Sequence, residues 1–302
     1  MQLILGTRGS PLALAQARMA ASALEVAHSW PDGAVQIKIV KTSGDRIQDR
    51  PLADIGGKAL WTKELDQALL AGETHASVHS MKDVESERPA GLCIAAMLKR
   101  ADVRDRLIGA ASIEALKEGA RVGTSSPRRA AQLLALRPDL IIVPLRGNVE
   151  TRLGKVEAGE CDATLLAAAG LDRLGKRKVG VALDLLPAPA QGAIGIECRA
   201  DDTTTRRILG TVNRGPTFAA VKAERVFTRT LGGSCHSPVA ALAVIEKDGS
   251  VRLRAQILSE DGSEQLSDEA HFAAHDDEAP AALARAMLGQ APDAIRRLFE
   301  GA

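Results

Sequence analysis

The sequence predicts an α/β protein of two similar lobes followed by a smaller α+β unit. Three observations carry that expectation. Short apolar runs alternate with helical patterns through the first two thirds of the chain, as they do when helices cover the faces of sheets. A strand-to-helix turn recurs: Gly6-Thr7-Arg8-Gly9-Ser10-Pro11 runs on to Gln16, and Gly123-Thr124-Ser125-Ser126-Pro127 runs on to Gln132. After about Arg214 the pattern changes to a helix, a glycine-bearing loop and a hairpin. At 302 residues the chain has length for two or three domains.

Each element has a local reason. Residues 3–5 read as the first strand. Ser10 then caps a helix with Pro11 at its first position, and Ala/Leu-rich sequence carries it to about Ala27. Residues 35–40 alternate as a strand, and Thr62 can cap a helix over 63–70. Strands follow over 76–79, 92–96, 121–123, 140–143 and 162–167, with helices near 127–136 and 148–158. Residues 194–198 form a further strand. A helix over 216–231 leads into the tight loop Gly232-Gly233-Ser234-Cys235-His236-Ser237-Pro238. Strands over 239–245 and 251–258 are joined by Lys247-Asp248-Gly249-Ser250, a hairpin signal because Asp-Gly tolerates positive φ. Helical patterns over 276–288 and 292–299 close the chain. The second copy of the recurring turn has one residue fewer before Ser-Pro. Two capped helix starts also resemble one another by chance, so both readings stand at this level. Either way, a helix N-terminus exposes unpaired N–H groups and the positive dipole end, which attract anions.

Composition removes several classes. Lys and Arg total 39 against 38 Asp and Glu, a formal net charge of +1, which argues against nucleic-acid binding through bulk phosphate attraction. With 2% aromatic residues and no Tyr, no sizeable base-stacking platform can be built, and the core falls to Ala, Leu, Val and Ile. No apolar run reaches the roughly 20 residues of a membrane span. The start, Met1-Gln2-Leu3-Ile4-Leu5-Gly6, lacks the basic region, apolar stretch and cleavage site of a secretory signal, so the expected location is cytoplasmic. Cys93, Cys161, Cys198 and Cys235 include no CxxC pair, and no metal is expected. The first three lie in apolar surroundings and read as small, reduced, buried hydrophobes.

Three groups of residues can carry chemistry. Arg8, the pair Arg128-Arg129, Arg146, Arg152 and Arg173 stand near strand ends or helix starts, where ligands bind in open α/β sheets. Cations at a helix start oppose the dipole, so Arg128 and Arg129 imply an anion between them and the amides. For any single Arg the alternative is a solvated face with surface ion pairs. As a set they suit a ligand with several carboxylates, which Arg grips in bidentate fashion. The second group is His79-Ser80-Met81-Lys82-Asp83. Here Lys82 can grip an anion while Asp83, ionised in a basic cleft, stabilises a cation or moves a proton; an exposed turn is the alternative. The third is Cys235, in a loop bounded by Gly and Pro, a nucleophile or attachment point or else an ordinary loop cysteine. Two rival functions follow from the same residues. A non-catalytic two-lobed anion binder needs neither Asp83 nor Cys235. An acyl hydrolase would use Cys235 with His236, but adjacent loop residues seldom present a nucleophile to its base.

Taken together, these residues resemble the porphobilinogen deaminase (hydroxymethylbilane synthase) family along nearly the whole chain. The motifs are Thr7-Arg8-Gly9-Ser10-Pro11-Leu12-Ala13, Gly56-Gly57-Lys58-Ala59-Leu60-Trp61-Thr62-Lys63-Glu64-Leu65 and His79-Ser80-Met81-Lys82-Asp83. They continue with Gly123-Thr124-Ser125-Ser126-Pro127-Arg128-Arg129, Leu145-Arg146-Gly147-Asn148-Val149, Gln191-Gly192-Ala193 and the Cys235 loop. The family is a group of transferases that join four porphobilinogen molecules head to tail, with loss of ammonia, on a covalently bound dipyrromethane cofactor. The linear tetrapyrrole hydroxymethylbilane is then released by hydrolysis. The resemblance implies three domains. Two are like the lobes of type II periplasmic binding proteins, about 1–97 plus 193–212 and 98–192. The third, 213–302, is a small α+β domain carrying the cofactor cysteine. It assigns the thioether to Cys235 and catalysis to Asp83, which would support loss of ammonia and stabilise the cationic azafulvene and protonated pyrrole. Lys82, Ser80, Thr124, Ser126, Arg128, Arg129, Arg146, Gln191 and Gly192 would hold the cofactor. Arg8, Ser10, Gln16, Trp61, Arg152 and Arg173 would hold the substrate. Trp61 stands where the family commonly has Phe, on a lid hinged at Gly56-Gly57; a core anchor is its alternative. Ser43 stands where many relatives carry Arg, and Pro127 replaces a common Leu. The implied partners are porphobilinogen and the growing polypyrrole, with no nucleic acid, no membrane and a monomeric state.

Overall fold

The computed structural model describes residues 3–42, 62–232 and 237–299. In chain order its strands are β1 (Leu3–Thr7), β2 (Val35–Ile39), β3 (Ala76–Ser80), β4 (Leu92–Met97), β5 (Asp105–Ile108), β6 (Arg121–Gly123), β7 (Ile141–Val143), β8 (Ala163–Ala167), β9 (Val181–Ala182), β10 (Ile194–Arg199), β11 (Val239–Ile245), β12 (Ser250–Leu258) and β13 (Gln265–Ala273). The chain divides into two compact units, Met1–Ala101 with Gly192–Phe218, and Asp102–Gln191 with Ala219–Ala302.

Each unit holds a five-stranded sheet, and the two sheets share one design. In the first unit the order is β2-β1-β3-β10-β4. There β1 runs parallel to β2 and β3, and β10 antiparallel to β3 and β4. In the second unit the order is β7-β6-β8-β5-β9. There β6 runs parallel to β7 and β8, and β5 antiparallel to β8 and β9. Position for position, β1 corresponds to β6, β3 to β8 and β10 to β5. The recurring turn follows β1 in one sheet and β6 in the other, so it occupies equivalent places, which chance similarity does not explain. The antiparallel strand enters last in the first sheet and first in the second, because the chain leaves one unit and returns to it.

The helix starts form as their residues require. Ser10 Oγ accepts from Ala13 N (3.3 Å), Pro11 opens the helix Pro11–His28, and Ser29 ends it in the left-handed conformation. Ser126 and Pro127 repeat the arrangement for Pro127–Leu136. Asn148 Oδ1 accepts from Thr151 N (2.9 Å) and caps Val149–Glu157. Thr62 departs from expectation. It precedes the helix Lys63–Leu70 but makes no side-chain cap; its hydroxyl donates instead to Glu85 Oε2 (3.0 Å).

Small aliphatic side chains build the first core, where Ala17, Ala20 and Leu24 pack with Leu3, Leu5, Val78 and Ile196. The second unit adds a three-stranded antiparallel sheet, β11-β12-β13. It packs with the helices Gly215–Leu231 and Glu278–Gln290, and Phe227, Phe272 and Phe299 fill that core. The expected hairpin is present, with Gly249 at φ 87° in its turn. Among the described residues, five strands and α-helices are not expected from the sequence: β5, β9, β13 and the helices Ala168–Arg173 and Thr203–Gly210. β5 begins on Asp105 and Arg106 and carries little apolar signal. The helix Thr203–Gly210 is capped by Asp202 through Thr205 N (2.9 Å). β13 is a largely exposed edge strand whose residues are mostly polar. At the C-terminus only Asp293–Arg296 is helical within the expected 292–299. Cys161 and Cys198 are buried as expected, whereas Cys93 is half-buried on the edge strand β4.

Candidate active site

In the first unit β3 ends at Ser80 and the chain makes a 3₁₀ turn, Met81–Asp83. Met81 anchors the turn. It is 1% exposed, and its N–H donates to Ala193 O (3.1 Å). Its side chain lies over Gly195, where any Cβ would overlap Met81 Sδ and Cγ. Val84 N donates to Met81 O (3.3 Å) on the far side. With Met81 and Val84 buried, Lys82 and Asp83 between them are exposed. A cleft of about 420 Å³, partly open solvent, is lined here by Arg8, Ser10, Gln16, Ser80 and Asp83, with His79 and Thr62. Gln16 Nε2 donates to Ser80 Oγ (2.7 Å), joining the first helix to the end of β3. Five predicted residues, spread from position 8 to position 83, thus share one cleft. Lys82 adjoins it.

The second unit holds the other predicted cluster. Arg128 and Arg129 are 3% and 6% exposed, and both point to Asp105 on β5. Arg128 Nη1 lies 2.7 Å from Asp105 Oδ2, and Arg129 Nη2 lies 2.7 Å from Oδ1. Gln191 Nε2 donates to the same Oδ1 (3.0 Å). The anion expected beside these arginines is therefore in part the protein's own carboxylate. One carboxylate facing two guanidinium groups leaves a positive surplus. Burial pushes the Arg128 pKa down, Asp105 opposing it. Arg128 Nε and Arg129 Nε are buried without a hydrogen-bond partner among the described residues. Buried cations call for anionic partners, so the charge of this pair suits a further carboxylate beside Asp105.

The remaining predicted residues of the second unit surround strand ends and helix starts. Thr124 Oγ1 accepts from Ser126 N (3.1 Å) at the turn after β6. Arg152 Nε donates to Gly147 O (2.9 Å), which places it beside the loop carrying Arg146. Arg173 ends the helix Ala168–Arg173, and burial lowers its pKa to about 10 despite Asp172 beside it. Gln191 follows Ala190, held at φ 62° with its N–H donated to the buried Glu224 Oε2 (2.6 Å). Gly192, at φ 83°, belongs to the first unit. A non-glycine residue in the left-handed region stores strain that its surroundings must hold, a feature common at functional sites. Cys235 and Trp61 lie outside the described residues. Asp105 and Glu224 carry no motif signal of their own; only their positions before Leu107 and inside an apolar helix hinted at burial.

Two sheets of one design, each with a capped helix start after an equivalent strand, define an α/β protein of two like units, one carrying a carboxylate-bearing cleft and the other a buried arginine pair. The family profile described as "Porphobilinogen deaminase, dipyromethane cofactor binding domain" matches residues 3–207, and "Porphobilinogen deaminase, C-terminal domain" matches 218–288. Porphobilinogen deaminase of Sphingopyxis alaskensis is 55% identical, the alignment covering 98% of this chain and 96% of that one. The protein of the same name from Paracoccus denitrificans is 48% identical over 95% and 94%. The chloroplastic form of Oryza sativa subsp. japonica is 49% identical over 86% and 75%. Among solved structures, the methionine binding protein MetQ has 12% identity and a TM-score of 0.44, covering 70% of this chain and 89% of its own. The Bordetella pertussis BvgS periplasmic VFT2 domain has 16% identity and a TM-score of 0.39, covering 70% and 86%. The chain belongs to the porphobilinogen deaminase family. It is a transferase of tetrapyrrole biosynthesis carrying that family's dipyrromethane cofactor domain.

Proposed function

We propose that this enzyme condenses four porphobilinogen molecules head to tail at the Asp83 cleft, with loss of ammonia, and releases linear hydroxymethylbilane by hydrolysis. The observation that carries the site assignment is the convergence of Arg8, Ser10, Gln16, Ser80 and Asp83 on one cleft. The surplus positive charge at Arg128 and Arg129 fits the ring carboxylates of the dipyrromethane. Ser80, Lys82, Thr124, Ser126, Arg146, Gln191 and Gly192 would hold it with them, and Cys235 would carry the thioether. When bound, the dipyrromethane supplies the pyrrole terminus on which the chain is extended.

The chain's own groups do the rest. Arg8, Arg152 and Arg173 grip the acetate and propionate of each incoming pyrrole, Ser10 and Gln16 add hydrogen bonds, and Trp61 supplies an aromatic face. Fixed charges hold the substrate in one orientation without reorganisation during the reaction. The Asp83 carboxylate stabilises the positive charge that develops as ammonia leaves, and accepts the proton lost from the pyrrole. We read the chain as three domains, 1–97 plus 193–212, 98–192 and 213–302, acting as a cytoplasmic monomer. No helix among the described residues is long and apolar enough to cross a membrane. Intact mass tests the reading. The purified protein should exceed its sequence mass by one dipyrromethane, and the excess should vanish in Cys235→Ala. An unmodified but fully active enzyme would overturn it.

A further inference from the structure

Beside the Asp83 turn lies a charge network that the proposed reaction does not use. Its centre is the Arg88 side chain, 9% exposed. Nε donates to Glu197 Oε1 (2.8 Å) and Nη2 to Glu197 Oε2 (2.9 Å), a two-point grip on β10. Nη2 also contacts Asp66 Oδ1 on the helix Lys63–Leu70. Nη1 donates to Glu85 Oε2 (2.9 Å) and lies 3.4 Å from Thr62 Oγ1. His79 on β3 completes the group, with Nε2 3.2 Å from Glu197 Oε2. Thr62 and His79 both line the cleft that Asp83 lines.

The geometry gives this network a task. Residues 84–89 adopt neither helix nor strand. A segment without regular hydrogen bonding keeps one conformation only when side chains tie it down. Upstream, Asp83 is tied by β3 and by buried Met81. Downstream, beyond buried Val84, Arg88 adds a second tie five residues on: its planar guanidinium bonds two carboxylates of the unit's interior and one of the segment itself. Bidentate guanidinium–carboxylate pairs fix direction as well as distance, and they are strong where water is excluded. The burial of Arg88 favours the neutral form, but Glu197, Asp66 and Glu85 outweigh it and raise its pKa.

We propose that Arg88 is a positioning residue for Asp83, fixing the downstream end of the turn to Glu197 and Asp66 and so setting where the Asp83 carboxylate stands in the cleft. The proposal rests on the reading of Asp83 as the catalytic carboxylate. A kinetic cycle on the cofactor-loaded enzyme tests it, with Asp83→Asn, Arg88→Met, Arg88→Lys and the doubles. Arg88→Met should lower kcat by about 10-fold or more with KM changing less than about 3-fold, since displacement of a reacting group by about 1 Å costs on the order of 100-fold. Arg88→Lys keeps the charge without the fork and should recover part of the loss. In the Asp83→Asn background, Arg88→Met should lower the residual rate by less than about 2-fold, because it acts through a group already removed. A folded Arg88→Met enzyme with wild-type kcat overturns the proposal, as does a loss that multiplies in full in the Asp83→Asn background. If Arg88→Met does not fold, Arg88→Lys and Glu85→Gln are judged by the same two criteria. Near-normal turnover of Asp83→Asn alone would instead overturn the reading of Asp83.

Discussion

Asp83 illustrates what a single residue owes to its neighbours. It is exposed, yet it is held in place by buried residues on either side, Met81 and Val84. The turn that carries it was legible in the sequence because Lys82 and Asp83 break directly from an apolar strand. Arg8, Ser10 and Ser80 sit at a strand end or helix start recognisable from a few consecutive residues, whereas Gln16, in the second turn of its helix, was implied by the family resemblance. Asp105, Arg88 and Glu197 were not legible. Arg88 meets Glu197 across 109 positions and Arg128 meets Asp105 across 23, and no local pattern announces such a pair. At this scale the expected outcome is that Asp83→Asn lowers kcat by at least about 100-fold while its thermal midpoint stays near wild type. The carboxylate is exposed and not placed in the core, so its neutral isostere leaves packing intact.

At the scale of elements, the strand–turn unit β3–Met81–Asp83 depends on the strand beside it. Gly195 on β10 lies opposite His79, and its missing side chain is the space that Met81 occupies. Strands are expected from the sequence at both segments, but no local pattern shows that one glycine makes room for one methionine. Gly195→Ala should therefore be destabilising by about 1–3 kcal/mol, as overpacking of a close-packed interior is. It should also lower kcat, because Met81 must shift and Asp83 is two residues away. A thermal midpoint and turnover equal to wild type would show that Met81 does not anchor the turn. Two of the missed strands share a cause. β13 lies at a sheet edge with little burial, and β5 begins with two charged residues. Neither produces the apolar periodicity by which strands are read.

At the scale of the molecule, a net charge of +1 conceals separated sets of charges, some buried. Glu197 is fully buried in the first sheet, and Asp105 is fully buried on the equivalent strand of the second. Burial alone would raise the Glu197 pKa, but His79 and Arg88 hold it at about 2, below the ordinary 4.5. The folded protein therefore binds this proton less tightly than the unfolded chain. The stability it contributes is complete above about pH 4.5 and is lost as pH falls toward about 2. Asp66, raised by burial, has the opposite sign, so acidification relieves its cost. The difference in urea midpoint between wild type and Glu197→Gln should narrow between those pH values; a constant difference would refute the assignment. By itself, the sequence determined the kinds of most elements and the capped helix starts, and left the doubled turn open, because capping, periodicity and motif spacing act over a few residues. Only the tertiary structure decided which arginines are already held by the protein's own carboxylates, and how Asp83 is kept in place. Those depend on pairings between strands and loops far apart in sequence, and burial gives such pairings their strength.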